Sequence, residues 1–126
     1  MKLTESEIQI MELFWNIGKN LTAQDILDLS PADKAWKDRS IFIMLQTLLK
    51  KEAVRELGAV KGTSGKYVRI FEACISHEDY YSEMISENIA EESLPQVFAS
   101  LLDNAKFSKD TLSELERVIS YKIKEK

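Results

Sequence analysis

The chain holds one cysteine, Cys74, and one histidine, His77. A single thiol closes no internal disulfide and builds no cysteine metal cage. The pair stands three residues apart, a spacing at which a thiol and an imidazole could share a metal or form a nucleophile pair. No third ligand and no orienting group accompanies them. The expectation is a buried thiol beside a linker histidine, with no metal and no cofactor. Long apolar runs are also missing. None approaches the roughly 20 residues that cross a bilayer, and the amino end lacks a signal-peptide pattern. A cytoplasmic protein that does not engage a membrane is expected. The carboxylate pairs Glu91-Glu92 and Glu114-Glu116 read as solvated helix faces. No nucleophile, base and orienter can be named together, so no enzyme is expected. The segment Lys61-Gly62-Thr63-Ser64-Gly65 lacks both the GxxxxGK[ST] spacing and the strand-loop-helix order of a nucleotide loop.

What is present is enough for a fold. The 126 residues are 44% hydrophobic and 30% charged, which suits one domain or two small ones and is unlike a disordered tail. The formal charge is −4, but it is unevenly spread. From Trp36 to Arg69 eight basic residues face three acidic ones, a local +5. From Ser76 onward six basic residues face eleven acidic ones, a local −5. A charged surface acts through a screened solvent, so the local balance governs contact with phosphate. A solvated lysine-rich face gives the same count.

The stretch Trp36 to Lys51 is the centre of the reading. Ile41, Met44, Leu45 and Leu48 recur at helical spacing and predict one inward face. Arg39, Ser40, Phe42, Ile43, Gln46, Thr47 and Lys50 occupy the rest of the cylinder. Asp38 is placed to cap the amino end, and Lys50 and Lys51 lie where a helix carboxyl end favours cations. This helix has neighbours that suit a helix-turn-helix. Before it, Thr4-Glu5-Ser6-Glu7 has capping-box spacing and leads a stripe of Ile8, Met11, Phe14 and Trp15, widened by Ile10, Leu13 and Ile17, ending near Gly18. Thr22-Ala23-Gln24-Asp25 starts a short second helix with Ile26, Leu27 and Leu29 inward, stopped by Ser30-Pro31.

After it, Val54 to Val60 reads as a strand, Lys61 to Gly65 as a turn, and Lys66 to Phe71 as a second strand. The alternation sets Tyr67, Arg69 and Phe71 on one side, and Val68 and Ile70 on the other. This hairpin is a wing. Ser76 to Ser82 then reads as a hinge into three helices. The first, about 79–91, carries Tyr80, Met84, Ile85 and Ile89. The second begins near Ser93-Leu94-Pro95 and carries Leu94, Val97, Phe98, Leu101 and Leu102. The third is capped at Ser108 and carries Leu112, Leu115, Val118, Ile119 and Ile123. Some fifty residues of helix bury little surface alone. Pairing with a second copy is the economical solution, and a bundle folded back on the same chain is the alternative.

The segments together resemble the penicillinase-repressor family, which includes repressors of β-lactamase and methicillin-resistance genes and their copper-responsive relatives. The residues that carry the resemblance are Leu3-Thr4-x-x-Glu7-x-x-Ile10-Met11-x-x-Phe14-Trp15, Leu21 to Ile26, Trp36 to Ile41, and Phe107-Ser108 ahead of Leu112-x-x-Leu115. It implies a winged helix over 1–75, a helical dimerisation domain over 76–126, and a homodimer that represses transcription from an inverted-repeat operator. A sensor protease acting on the dimerisation domain is the implied trigger in the antibiotic-resistance branch. The chain departs from the family in four places. Phe42, Ile43 and Thr47 stand where the family usually shows arginine, threonine and a later arginine. Glu52 replaces a glycine. Ser100-Leu101 replaces the Asn-Phe bond cut in relatives. The ending Tyr121-Lys122-Ile123-Lys124-Glu125-Lys126 has no cysteine motif for copper.

The expected fold is mostly α with a small β-hairpin: a winged helix-turn-helix followed by a helical dimerisation domain. Arg39, Ser40, Phe42, Ile43 and Gln46 are the candidates for base edges or nearby sugar, and Thr47 is a further DNA-binding candidate. Lys37, Lys50, Lys51, Lys61 and Lys66 are the candidates for phosphate, and Thr63 and Ser64 at the wing tip are further DNA-binding candidates. The dimerisation candidates are Met84, Ile85 and Ile89, then Leu94, Val97, Phe98, Leu101 and Leu102, then Leu112, Leu115, Val118 and Ile119. The rival is a protein-interaction module built on the apolar Phe42-Ile43 pair.

Overall fold

A computed structural model describes all 126 residues. The elements in chain order are α1 (Glu5–Ile17), β1 (Leu21–Thr22), α2 (Ala23–Leu29), α3 (Ile41–Lys50), β2 (Val54–Lys61), β3 (Tyr67–Ala73), α4 (His77–Asn88), α5 (Leu94–Asn104) and α6 (Lys109–Glu125). The fold is mostly helical, with a three-stranded antiparallel sheet of order β1-β3-β2. A helix-turn-helix followed by a hairpin wing makes the amino-terminal part a winged helix. The chain divides into two compact units, Met1–Glu87 and Asn88–Lys126.

Local chemistry starts most helices. At α1 the Thr4 hydroxyl accepts from the Glu7 N–H at 3.2 Å, and the Glu7 carboxylate accepts from the Thr4 N–H at 2.8 Å. Two donors that the first turn leaves unpaired are thereby satisfied. Gly18 ends the helix in the left-handed conformation. Thr22 and Asp25 form the same reciprocal box at α2, with distances of 3.1 and 2.9 Å. Thr22 also belongs to β1, because Leu21 and Thr22 pair with Phe71 and Ile70 of β3. That third strand has no counterpart in the periodicity of the sequence.

The core of the first unit collects one face from each element. Ile10, Met11 and Phe14 of α1, Ile26 of α2, Ile41, Leu45 and Leu48 of α3, Val54 and Phe71 of the sheet, and Tyr80 of α4 are all buried. Leu29 and Ile17, expected inward, are exposed, because each lies at the last residue of its helix, beyond the packed turns. α4 belongs to this core. Trp15 donates its indole N–H to the Ile75 carbonyl at 2.9 Å and stacks at 5.4–6.2 Å against His77, Tyr80 and Tyr81. The first compact unit therefore runs one helix past the 75/76 boundary expected from sequence. The expected hinge over 76–82 is likewise mostly helix, since α4 starts at His77. Cys74, expected buried, is exposed, because it lies just past β3 at the sheet margin.

The second unit has a different character. Neither α5 nor α6 contains a buried residue. Val97, Phe98, Leu101 and Leu102 on α5, and Leu112, Leu115, Val118 and Ile119 on α6, are all exposed; Leu94 is half-buried.

Candidate nucleic-acid interface

α3 is held from one side and open on the other. Ile41, Leu45 and Leu48 are at most 2% exposed, which fixes the helix on the core. Met44 is half-buried beside them. The opposite face carries Phe42, Ile43, Gln46 and Lys50 in solvent, with Arg39 and Lys37 just before the helix. Phe42 is 68% exposed and Ile43 is 72% exposed, both in the first turn of α3. Ser40 is half-buried, and the Thr47 hydroxyl donates to the Ile43 carbonyl at 3.0 Å.

The start of α3 differs from expectation. A single 3₁₀ turn, Asp38–Ser40, runs directly into the helix, and Ser40 is already in the right-handed conformation. Asp38 is therefore the first residue of the helical run rather than its cap; Lys37 takes the cap position, and no side chain caps the turn. Asp38 pairs instead with Lys34 at 2.6 Å. Trp36 anchors this approach in the core with its indole N–H unpaired, and Lys34 lies 5.1 Å from the ring centroid.

The carboxyl end of α3 is tied to the start of α1. Lys51 donates to the Glu7 carboxylate at 2.6 Å and to the Lys2 carbonyl at 2.9 Å. Burial pushes the Glu7 carboxyl up, but hydrogen bonds from Lys51 and Thr4, with the Lys51 charge, outweigh it and hold the group below the usual carboxylate range. Lys51, expected on phosphate, is thereby a strut between two helices. Glu52, the next residue, has φ 61, a left-handed conformation that glycine adopts without strain.

The wing is a twisted hairpin. β2 and β3 pair from Val54 opposite Ala73 to Lys61 opposite Tyr67, with a bulge between Glu56 and Gly58. Gly58 has φ 128 at that bulge, and Gly65 has φ 84 at the tip, so both positions require a residue without a Cβ. Two wing cations are neutralised across the strands. Arg55 pairs with Glu72, and Arg69 makes two bonds to Glu56 at 2.8 and 3.1 Å. The hydrogen bonds between them, with a smaller contribution from their charges, lower the Glu56 carboxyl and raise the Arg69 guanidinium. Lys61, Thr63, Ser64 and Lys66 stand exposed at the tip.

Of eight basic residues between Trp36 and Arg69, three are thus engaged within the chain. Lys37, Arg39, Lys50, Lys61 and Lys66 are exposed, and their side chains enter no internal hydrogen bond or ion pair. The sequence count treats all eight alike; pairing depends on strand register and on the approach of α1 to α3. Two concave surfaces flank α3. A cleft of about 410 Å3 lies between α2, Phe42 and β3, lined also by Leu27, Tyr67 and Arg69. A groove of about 550 Å3 runs between the start of α1 and α3, lined by Trp36, Lys37, Ser40, Ile43 and Thr47 among others.

The expected dimerisation residues fall into two groups. Met84 packs against the core of the first unit, with Ile89 half-buried and Ile85 exposed. Those on α5 and α6 form apolar faces with no internal cover sufficient to bury them.

A curated relative, an uncharacterized 16.5 kDa protein encoded in the ptsI 3' region of Latilactobacillus sakei, is 22% identical over 121 residues, spanning 96% of this chain and 80% of that protein. The adhesin competence repressor of Streptococcus pyogenes is similar in structure, with a TM-score of 0.43 and 20% identity over 98% of this chain and 80% of that one. Its carboxyl-terminally His-tagged form gives 0.42 and 19%, with 98% and 82% covered. The family model of the penicillinase repressor matches residues 3–121, nearly the whole chain, and the protein belongs to that family.

Proposed function

We propose that this protein is a sequence-specific transcriptional repressor that binds an inverted-repeat DNA operator as a homodimer. The observation that carries the reading is the set of five cations without internal partners, Lys37, Arg39, Lys50, Lys61 and Lys66, distributed over α3, its approach and the wing tip. α3 enters the major groove, where Arg39 and Gln46 meet base edges. The wing tip, with Thr63 and Ser64 between its lysines, follows the phosphate backbone. Repression is steric: the bound protein excludes polymerase from the promoter.

The homodimer is supported by the bare apolar faces of α5 and α6. A unit of this size with no buried residue lacks a core of its own, and a second copy supplies the missing half. Two recognition helices related by a two-fold axis then require an inverted repeat. Release by a sensor protease, as in the antibiotic-resistance branch, would require α5 to open, because Ser100-Leu101 lies inside that helix. The site of action is the cytoplasm, where the operator is. No helix of the chain is long and apolar enough to cross a membrane.

Selection from random duplex DNA tests the reading, followed by binding of the winner at two salt concentrations. An enriched inverted repeat, with affinity falling steeply as salt rises, is the expected result. The exposure of Phe42 and Ile43 favours a second reading, a protein-docking module. That reading requires no enrichment and a salt-insensitive partner.

A further inference from the structure

The geometry points to thymine methyl groups as the specific ligands of Phe42 and Ile43. This inference rests on the DNA-binding reading above and assigns what its recognition helix reads. Successive helical residues are about 100° apart, so the two side chains stand on opposite shoulders of the exposed face of α3, with Gln46 and Lys50 between them. Their surroundings agree. Phe42 lines the cleft towards Tyr67 of the wing, and Ile43 lines the groove towards the start of α1. Both remain mostly in solvent, at 68% and 72% exposure. Neither can donate or accept a hydrogen bond.

The occupant must therefore offer apolar groups inside a strongly anionic frame, because Lys37 and Arg39 precede the pair, Lys50 follows it on the same face and Lys61 and Lys66 stand at the wing tip, all without internal counter-ions. The major groove of DNA has that composition. Thymine alone among the bases projects a methyl group there, beside the acceptors and donors of its neighbours, with phosphates at both walls. Cytosine or guanine at the same position would leave a polar edge dehydrated against an apolar side chain, which is unfavourable. RNA does not fit, because uracil lacks the methyl and the A-form major groove is too narrow for a helix. Gln46, between the two shoulders, matches the donor and acceptor of adenine. The half-site thus presents thymine methyls on both sides of the base pair that Gln46 reads.

Deoxyuridine substitution removes a single methyl and leaves the protein untouched. With the full-length chain and its selected operator, each thymine of the half-site is replaced in turn by deoxyuridine. Affinity is expected to fall about fourfold at the contacted positions, the effect of burying one methyl, and to stay unchanged elsewhere. Phe42→Ala should abolish the deoxyuridine effect at one position, and Ile43→Ala at another. Both side chains are exposed, so neither variant should lose the fold, which circular dichroism checks. Operator binding that is indifferent to every deoxyuridine overturns the methyl assignment while leaving the repressor reading intact. So does a deoxyuridine effect that survives both alanine variants. Absence of any DNA binding, with a protein captured through Phe42 and Ile43, overturns both.

Discussion

The two compact units are built from similar apolar residues and use them in opposite ways. Residues 1–87 bury a core gathered from four helices and a sheet, and their exposed surface on α3, its approach and the wing tip carries five unpaired cations. Residues 88–126 bury nothing completely, and their leucines, valines and isoleucines lie open along α5 and α6. The first unit is closed because its elements come from distant parts of the chain and converge on one centre. The second offers only two helices, and two helices cannot surround each other. An apolar face that a unit cannot cover by itself is a face kept for assembly. Under the proposed function the difference separates two tasks: one unit recognises, the other brings recognition elements together.

The largest expected effects break this comparison directly. Leu115→Asp or Leu101→Asp should turn the proposed dimer into a monomer in analytical ultracentrifugation and abolish the tight operator binding proposed for it, while the first unit stays folded. Leu45→Ala should do the reverse. It should cost about 3 kcal/mol of unfolding free energy from a fully buried site, read by urea denaturation, with the self-association of α5 and α6 retained.

A smaller effect concerns the strut between α1 and α3. The Glu7 carboxyl sits below its ordinary value of 4.5 in the folded chain. The unfolded chain therefore binds more protons as pH falls past that value, and stability present above it is lost through the lower folded value. Glu7→Gln should cost about 1–3 kcal/mol at neutral pH by leaving Lys51 without its charge partner. It should also flatten the acid limb of a denaturation profile; an unchanged limb would exclude the strut as its source.

Next comes Glu52→Gly, which should stabilise the chain by about 1 kcal/mol by relieving the left-handed backbone, measured by the same denaturation. The final contrast lies within the wing. Lys61→Ala or Lys66→Ala should weaken binding to all duplex sequences alike and lower the salt slope by about 0.9 each. Arg55→Ala should change that slope little, because Glu72 already neutralises Arg55. Equal slopes for Lys61 and Arg55 variants would remove the distinction between free and paired cations.

Local signals were readable in the sequence where their partners are local. The Thr4-Glu7 and Thr22-Asp25 boxes and the Ser108 cap each close over three residues, so spacing alone identifies them. The inward face of α3 was readable for the same reason, as helical period dictates it. The Lys51–Glu7 pair was not, since its members lie 44 positions apart. Nor was β1, because two residues carry no periodicity and become a strand only against Phe71 and Ile70. The expected cap by Asp38 failed on a local detail, a 3₁₀ turn that begins at Asp38 itself and leaves Lys37 in the cap position.

Residue spacing and composition determined by themselves the helices, the wing hairpin, the charge asymmetry and the apolar pair on the recognition helix. Each depends on interactions within a few residues or on a simple count. Only the tertiary structure decided which cations are free, where the first unit ends and which apolar faces remain uncovered. Those outcomes depend on strand register and helix approach, which bring together groups that the sequence keeps far apart.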